Sequence, residues 1–158
     1  MTTTYLALGS NLGDRHAYLR AAREALAKVI TDIKESSIYE TSPQYVTDQP
    51  NFLNQVISGK TALTPHELLK TLQKIQTEVG RHEPNIRFGP REIDIDILSY
   101  DDLIIKDSHL EIPHPRISER LFVLEPLSEI APDWICPKSK ESVKVLLRKL
   151  KIEQAHAG

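Results

Sequence analysis

Residues 87–98, with the sequence RFGPREIDIDIL, constrain the fold of this chain more than any other segment. From position 92 onward, acidic residues alternate strictly with isoleucines. Because a β-strand sends successive side chains to opposite faces, one face of this segment is apolar and the other carries carboxylates. The segment therefore predicts a half-buried strand whose acidic face includes Glu92, Asp94 and Asp96.

The spacing of Asp94 and Asp96 indicates a metal-phosphate site. On a strand, their Cα atoms lie roughly 6.5 Å apart on one face, where two carboxylates repel by roughly 2.5 kcal/mol at an effective dielectric of 20. A divalent cation would relieve this repulsion, and Mg²⁺ uses one or two carboxylates together with substrate phosphates. A strand with a solvated acidic face also explains the alternation, but arginines at positions 87 and 91 favour the phosphate site.

Composition and charge are those of a globular enzyme or binding domain. The chain has 158 residues, a formal net charge of −2 and one cysteine, Cys136. This length favours a single domain spanning residues 1–158, and the slight acidity argues against binding to a nucleic-acid backbone. We find no apolar run long enough to cross a bilayer. Because one cysteine cannot form an intrachain disulfide, we expect a cytoplasmic protein.

The order of the predicted elements indicates an α+β fold. Strands are predicted at residues 3–8, 33–41, 52–61 and 92–98. One helix is predicted after Asp14, and a second lies between the capping box of Thr64 and Glu67 and the stop at Gly80. Strand, helix, strand, strand, helix, strand is the order of the ferredoxin-like split βαβ arrangement, an antiparallel sheet with helices on one face. Predicted helices beyond residue 118 would cover the other face and give an α/β/α sandwich.

Three groups of side chains could carry chemistry beyond the acidic strand. Phosphate is best bound by the planar fork of arginine, and the arginines of interest are Arg81, Arg87, Arg91, Arg116 and Arg120. Phe52 and Phe122 could sandwich a flat heterocycle whose edge Asn54 would bind, although such phenylalanines are also typical of a hydrophobic core. His114, between two prolines, could donate to a phosphate oxygen or could be a structural histidine.

Taken together, these residues resemble the 6-hydroxymethyl-7,8-dihydropterin pyrophosphokinase family of folate biosynthesis. The resemblance is carried by the segments YLALGSNLGDR, YETSP, PNFLN, LQKIQTEVGR, RFGPREIDIDIL and IPHPRISERLFVLEPLSEIAP. It covers nearly the whole chain, in matching order and spacing. The resemblance implies a monomeric, Mg²⁺-dependent enzyme that moves a diphosphoryl group from ATP to the hydroxymethyl oxygen of a reduced pterin and releases AMP.

The resemblance also implies roles for individual residues. Asp94 and Asp96 would bind two Mg²⁺ ions, and Arg91 would be a further catalytic residue. Pterin binding is implied for Thr41, Phe52, Asn54 and Phe122. Nucleotide binding is implied for Gln73, Gln76, Arg81, Arg87, Phe88, Ile97, His114, Arg116 and Arg120. The expected partners are small molecules, ATP and the reduced pterin, with no nucleic acid and no membrane.

Two positions depart from the family pattern, and two other functions compete with the implied one. Glu83 stands where a second arginine is common, and Gln76 stands where a glutamate is common. A ferredoxin-like regulatory or RNA-binding module would explain the fold but not the arginines beside the carboxylates. A metal-dependent phosphohydrolase would use the same carboxylates, and it predicts rapid ATP hydrolysis without pterin.

Overall fold

A computed structural model of the chain describes residues 1–42, 49–80 and 92–157. The elements, in chain order, are β1 (Thr2–Ser10), α1 (Arg15–Leu26), β2 (Thr31–Glu35), β3 (Tyr39–Thr41), β4 (Phe52–Thr61), α2 (Pro65–Gly80), β5 (Asp94–Tyr100), β6 (Ile105–Lys106), β7 (Glu111–Ile112), α3 (Leu121–Ile130) and α4 (Val143–Ala157). A short 3-10 turn, Ile117–Glu119, precedes α3. Within these ranges, we find no helix with the length and apolarity that a bilayer crossing requires.

The main sheet runs in the order β2–β4–β1–β5, and β3 also pairs with β4. Each of these pairings is antiparallel. This is the strand order of a split βαβ fold, so the α+β, ferredoxin-like prediction is confirmed. Strand β5 lies at one edge of the sheet, while β6 and β7 form a separate hairpin.

Two hydrophobic cores lie on opposite faces of the sheet. Helices α1 and α2 cover one face, where Leu6 and Leu72 are fully buried. Helices α3 and α4 cover the other face, around Val56, Leu124 and the buried thiol of Cys136. Full burial of a leucine or valine side chain contributes about 1.5–3 kcal/mol. Both faces are therefore covered, as the α/β/α prediction requires.

Helix α2 begins with the capping box that the sequence predicts. Glu67 Oε1 accepts from the backbone N of Thr64 at 2.9 Å, and Thr64 Oγ1 accepts from the backbone N of Glu67 at 3.3 Å. Pro65 occupies the first helical position and Gly80 the last. The hydrogen bonds from the backbone and side chain of Thr64 hold the pKa of Glu67 below its usual value.

The prediction of one continuous strand over residues 33–41 was wrong, because β2 and β3 are separated at the buried Ser36. The backbone N of Ser36 donates to the carbonyl of Val56 at 2.9 Å. Its Oγ then accepts from the backbone N of Val56 at 3.0 Å. A side-chain hydroxyl thus takes the place of a backbone carbonyl in the hydrogen bonding to β4. The pattern of hydrophobic residues in the sequence does not reveal such a substitution.

Strand β5 begins at Asp94, two residues later than the alternation predicts. Glu92 is only 6% exposed and therefore does not belong to a solvated acidic face. A Cβ atom on Gly80 would lie 3.4 Å from the Cβ of Glu92, so the two residues pack closely where α2 ends. The acidic face of β5 therefore starts with Asp94 and continues with Asp96.

Candidate active site

The strand register places the predicted amide and carboxylates on one face of the sheet. In an antiparallel pair, directly opposite residues point to the same face. Gly9 of β1 lies opposite Asn54 of β4 on one side and opposite Asp94 of β5 on the other, and Ala7 lies opposite Asp96. Because neighbouring strands are about 4.8 Å apart, the backbones of Asn54 and Asp94 are separated by about 10 Å. This face is the one covered by α3 and α4, since Ala7 packs against their core.

Gly9 keeps the middle of this face open. A Cβ atom at this position would lie 3.5 Å from Asn54 Oδ1 and 3.8 Å from Phe52 Cδ1, which are ordinary van der Waals contacts. A side chain longer than a methyl group would therefore extend over the surface between Asn54 and Asp94. The predicted first strand ends at residue 8, whereas β1 extends to Ser10 and includes Gly9.

Three of the residues predicted to bind the pterin lie together on β3 and β4. Asn54 Nδ2 donates to Thr41 Oγ1 at 2.7 Å and to the carbonyl of Tyr39 at 3.4 Å. Thr41 lies opposite Phe52 in the strand pair. Because the Thr41 hydroxyl accepts from Asn54, it can still donate its own hydrogen to a ligand. The structure thus assembles an aromatic ring, a hydroxyl and a buried amide, and their role in binding stays a prediction.

Arg120 and Phe122 form a second group at the start of α3. The guanidinium carbon of Arg120 lies 5.4 Å from the centroid of the Phe122 ring, within cation–π range. In the part of the chain that the structure describes, the buried Nε atom of Arg120 makes no hydrogen bond. A buried donor without an acceptor costs roughly 1–3 kcal/mol. An anionic ligand at this position would remove that cost.

Asp94 and Asp96 lie on the edge strand β5, Asp94 half-buried and Asp96 exposed. Among residues 1–42, 49–80 and 92–157, no three or more His, Cys, Asp or Glu side chains are grouped so that they could hold a metal ion. Two carboxylates on one strand nevertheless fit Mg²⁺ when substrate phosphates complete its oxygen ligands. The donor set therefore suits a cation that arrives together with a phosphorylated substrate.

Helix α2 reaches the outer edge of β5 through Gln76. Its Oε1 accepts from the backbone N of Ile95 at 2.7 Å, next to both aspartates. Gln73 lies exposed on the same helix. Ile97, by contrast, is only 5% exposed and belongs to the core beneath α1 and α2. The structure therefore places Ile97 on the face opposite Asp96, and it does not bring these two side chains together.

His114 is attached to β5 just beyond the aspartates. Its backbone N donates to the carbonyl of Leu98 at 2.9 Å, and its Nδ1 accepts from the backbone N of Arg116 at 3.2 Å. Burial, together with the positive charges of Arg120 and Arg116, lowers the pKa of His114 to about 4. The imidazole is therefore neutral near pH 7, and its Nε2–H can donate a hydrogen bond.

Of the remaining predicted nucleotide-binding residues, the structure describes one and does not describe the other three. Arg116 Nε lies 3.5 Å from Glu119 Oε2 in a partly exposed ion pair. The other three, Arg81, Arg87 and Phe88, are outside the described residues, and so is Arg91, which is predicted to be catalytic. The departure at Glu83 also lies outside them.

Sequence reasoning missed Asn11, in the turn between β1 and α1, and Arg15, the first residue of α1. Asn11 Nδ2 donates to the carbonyl of Pro50 at 3.1 Å, and Arg15 donates to the carbonyl of Asn51 at 2.9 Å. Both side chains therefore hold the backbone immediately before Phe52. Asn11 is completely buried, and a buried Asn in a turn needs such partners. No spacing rule connects residues about forty positions apart, so the sequence offered no signal for this contact.

Comparisons with known proteins agree with the resemblance. The model of the family described as 7,8-dihydro-6-hydroxymethylpterin-pyrophosphokinase (HPPK) matches residues 5–132. The chain is 45% identical over 144 residues to the 2-amino-4-hydroxy-6-hydroxymethyldihydropteridine pyrophosphokinase of Aquifex aeolicus, covering 91% of this chain and 89% of that one. It is 50% identical over 128 residues to the Bacillus subtilis protein of the same name, covering 80% of this chain and 76% of that one.

Solved structures support the fold. A Plasmodium falciparum HPPK-DHPS wild-type structure with SDX-DHP superposes with a TM-score of 0.72 at 17% identity, over 94% of this chain. A triple mutant of the same protein with STZ-DHP superposes with a TM-score of 0.77. In both cases this chain spans 43% of the solved chain. At this identity the likeness concerns the arrangement of helices and strands.

Proposed function

The chain belongs to the 7,8-dihydro-6-hydroxymethylpterin-pyrophosphokinase family, and on that premise we propose that it transfers a diphosphoryl group from ATP to 6-hydroxymethyl-7,8-dihydropterin. The hydroxymethyl oxygen forms a bond to the β-phosphorus of ATP. The bond from that phosphorus to the oxygen bridging to the α-phosphate breaks, and AMP leaves. The products are the pterin diphosphate and AMP, in folate biosynthesis.

One observation carries the proposal: a buried amide and two carboxylates lie on one sheet face, on either side of the open position at Gly9. The backbones of Asn54 and Asp94 are about 10 Å apart across β1. A flat heterocycle at β4 and a phosphate chain at β5 fit this separation. The two substrates can therefore lie side by side, with the attacking oxygen between them.

The pterin half of the site consists of Thr41, Phe52, Asn54 and Phe122. We assign the Thr41 hydroxyl and the Asn54 amide to the hydrogen-bonding edge of the ring, because together they offer both donors and acceptors. The rings of Phe52 and Phe122 would stack on its two faces. Since both rings are only partly buried, they have aromatic surface available for a ligand.

The phosphate half relies on donors held in place before the substrate arrives. Arg120 offers a charged guanidinium group, and His114 offers a neutral N–H. Together they can bind phosphate oxygens through charge attraction and through directed hydrogen bonds. The transition state of phosphoryl transfer is loose, and positioning with charge neutralisation supplies most of the catalysis. From the family resemblance, Arg91 would neutralise charge as AMP departs. The roles of Gln73, Gln76, Arg81, Arg87, Phe88, Ile97 and Arg116 in holding the nucleotide also remain proposals.

Asp94 and Asp96 are the residues that would hold Mg²⁺, with two ions expected. When bound, these ions neutralise charge on the phosphate oxygens. Asp96 is exposed and Asp94 is half-buried, so the ATP phosphates can approach the carboxylates from solvent. Because Asp94 and Asp96 are two residues apart on one strand, their carboxylates point to the same face of the sheet.

The proposal includes a single catalytic domain over residues 1–158 that acts as a monomer in the cytoplasm. The cytoplasmic location rests on the presence of a single cysteine, Cys136. Size-exclusion chromatography with light scattering tests the monomer: a mass matching 17.9 kDa is expected, and a mass of twice that value would contradict it.

An AMP-release assay with ATP, Mg²⁺ and the hydroxymethyl-dihydropterin tests the function. We expect AMP only when all three are present. Rapid ATP hydrolysis without pterin would favour the phosphohydrolase, and no turnover under any condition would favour the non-catalytic module.

The same assay tests the metal ligands. Asp96→Asn should lower AMP release by roughly 100-fold or more with an unchanged melting temperature, because it removes one of the two carboxylates that bind the cation. Asp102→Asn, in the turn after β5, is the matched control and should turn over like the wild type. Normal turnover by Asp96→Asn would refute the metal assignment.

A further inference from the structure

The carboxylate of Glu129 joins helix α3 to the segment that leads into β3. Its Oε1 accepts from the hydroxyl of Tyr39 at 2.8 Å. Its Oε2 accepts from the backbone N of Ser37 at 2.9 Å and from the Ser37 hydroxyl at 3.0 Å. Three donors from one segment therefore converge on a single side chain. Hydrogen bonds to an ionised acceptor are roughly twice as strong as neutral ones.

The charge states of the partners favour this contact near neutral pH. Burial, reinforced by the hydrogen bond to Glu129 and the charges of Glu129 and Glu125, raises the pKa of Tyr39 to about 12. Burial alone would raise the pKa of Glu129, but the hydrogen bonds from Ser37 and Tyr39 outweigh it and lower that pKa. Tyr39 therefore remains a donor and Glu129 remains an ionised acceptor.

Each of the two joined elements also carries part of the pterin half of the site. Tyr39 and Thr41 are two residues apart on β3, so both point to the same face. On α3, Phe122 and Glu129 are seven residues apart, which places them on the same side of the helix with about 10 Å between them along its axis. The contact between Tyr39 and Glu129 thus joins the two elements that carry Thr41 and Phe122.

We propose that Glu129 is a positioning residue that sets the distance between Phe122 on α3 and the Thr41–Asn54 pair on the sheet. This inference rests on the proposed function, because it concerns the pterin half of that same site. Strand β3 is only three residues long, so a few contacts decide its position. The hydrogen bonds to Glu129 couple it to the helix that presents Phe122, against which β3 also packs.

Two conservative variants test the proposal. Glu129→Gln removes the charge and one of the two acceptor oxygens, and Tyr39→Phe removes only the hydroxyl that contacts α3. For each, we expect the KM for pterin to rise roughly tenfold, because the ring and the amide are no longer held at the correct separation. The kcat should change by less than about twofold, and the affinity for a non-hydrolysable ATP analogue should stay unchanged, because the phosphate half does not depend on this contact.

Two further variants test whether the change in KM comes from losing the contact between Tyr39 and Glu129. The alternatives are the loss of a negative charge on α3 and two independent effects of the single changes. Glu125→Gln removes the same charge one turn earlier on α3 and should keep the wild-type KM for pterin. The double variant Tyr39→Phe/Glu129→Gln should raise that KM less than the product of the two single effects, because both single changes break the same contact.

The outcomes distinguish this inference from the proposed function. If the wild type releases AMP while Glu129→Gln and Tyr39→Phe bind pterin normally, the positioning role is refuted and the function stands. Equal losses of pterin and ATP-analogue affinity would also refute it, since they would indicate a general effect on folding. If the wild type releases no AMP, the function itself fails. In that case calorimetric binding of pterin to the same variants still tests whether Glu129 orders the pterin half.

Discussion

The side-chain amide of Asn54 donates to the hydroxyl of Thr41 at 2.7 Å, which gives a buried amide a defined orientation. Rotating the amide group of Asn or Gln by about 180° exchanges its oxygen and its nitrogen. The hydrogen-bond partner therefore decides which of these two atoms faces a ligand. Here Nδ2 faces β3, whereas Oδ1 is the atom nearest to a Cβ placed on Gly9. The amide oxygen is therefore directed toward the open middle of the sheet face.

The first prediction concerns this hydrogen bond. Thr41→Val keeps the shape of the side chain but leaves the Asn54 amide without its closest acceptor, which should cost roughly 1–3 kcal/mol of stability. The KM for pterin should rise roughly tenfold or more, because the hydroxyl is also lost to the ligand. Thermal unfolding and the AMP-release assay measure the two effects. Thr71→Val, at a partly exposed position on α2, is the matched control; a similar rise in KM for both variants would contradict the assignment.

The second prediction concerns the open position at Gly9. Gly9→Ala should fold normally, since its Cβ would make ordinary contacts with Asn54 and Phe52. Gly9→Val should raise the KM for pterin by at least tenfold, because its methyl groups would extend into the space assigned to the ring. The KM for pterin and the melting temperature are measured for both variants, in which the side chain at position 9 increases in size. An unchanged KM in Gly9→Val would show that the ligand does not lie over β1.

The third prediction concerns His114 and pH. Its pKa is lowered from 6.5 to about 4 in the folded protein, so the unfolded chain binds this proton at higher pH than the folded one. Stability should therefore be complete above about pH 6.5 and fall as the pH drops toward about 4. Between about pH 7 and about pH 5, the free energy of unfolding should fall more in the wild type than in His114→Asn.

Urea unfolding at the two pH values measures this difference. His16→Asn, which replaces an exposed histidine, should keep the wild-type dependence. If the stability of His114→Asn fell as steeply as that of the wild type, another group would be responsible for the effect.

The fourth prediction separates stability from activity. Thr64→Ala removes the side-chain half of the α2 capping box and should lower the free energy of unfolding by about 1 kcal/mol. The kinetic constants should stay unchanged, because the cap lies at the opposite end of α2 from Gln76. Denaturant titration and the AMP-release assay are the measurements. A loss of turnover without a loss of stability would contradict this division.

Several parts of the fold could be predicted because they depend on neighbours in sequence. The capping box of Thr64 and Glu67 is a contact over three residues, and the alternation in β5 is a property of the extended backbone. The strand and helix order followed from such local patterns. The same patterns failed at Glu92, because its burial against the end of α2 depends on a residue twelve positions earlier.

The residues of the candidate site can likewise be divided into those that the sequence predicted and those that only the structure revealed. Residue types and spacing in the sequence predicted Asp94 and Asp96 as a pair, and the family resemblance predicted the residues that we propose for the pterin half. They did not determine that Ile97 lies on the opposite face from those aspartates. They also did not show that Gly9 separates Asn54 from Asp94, or that Glu129 joins β3 to α3.

By itself, the sequence determined most of the elements, their order, the family and most of the candidate residues. Only the tertiary structure decided which of those residues share a face and which side chains hold them at the right separation. The physical reason is that strand register and helix packing bring together residues 40 to 90 positions apart. Their energies come from burial and hydrogen bonds between distant segments, and no local period in the chain encodes them.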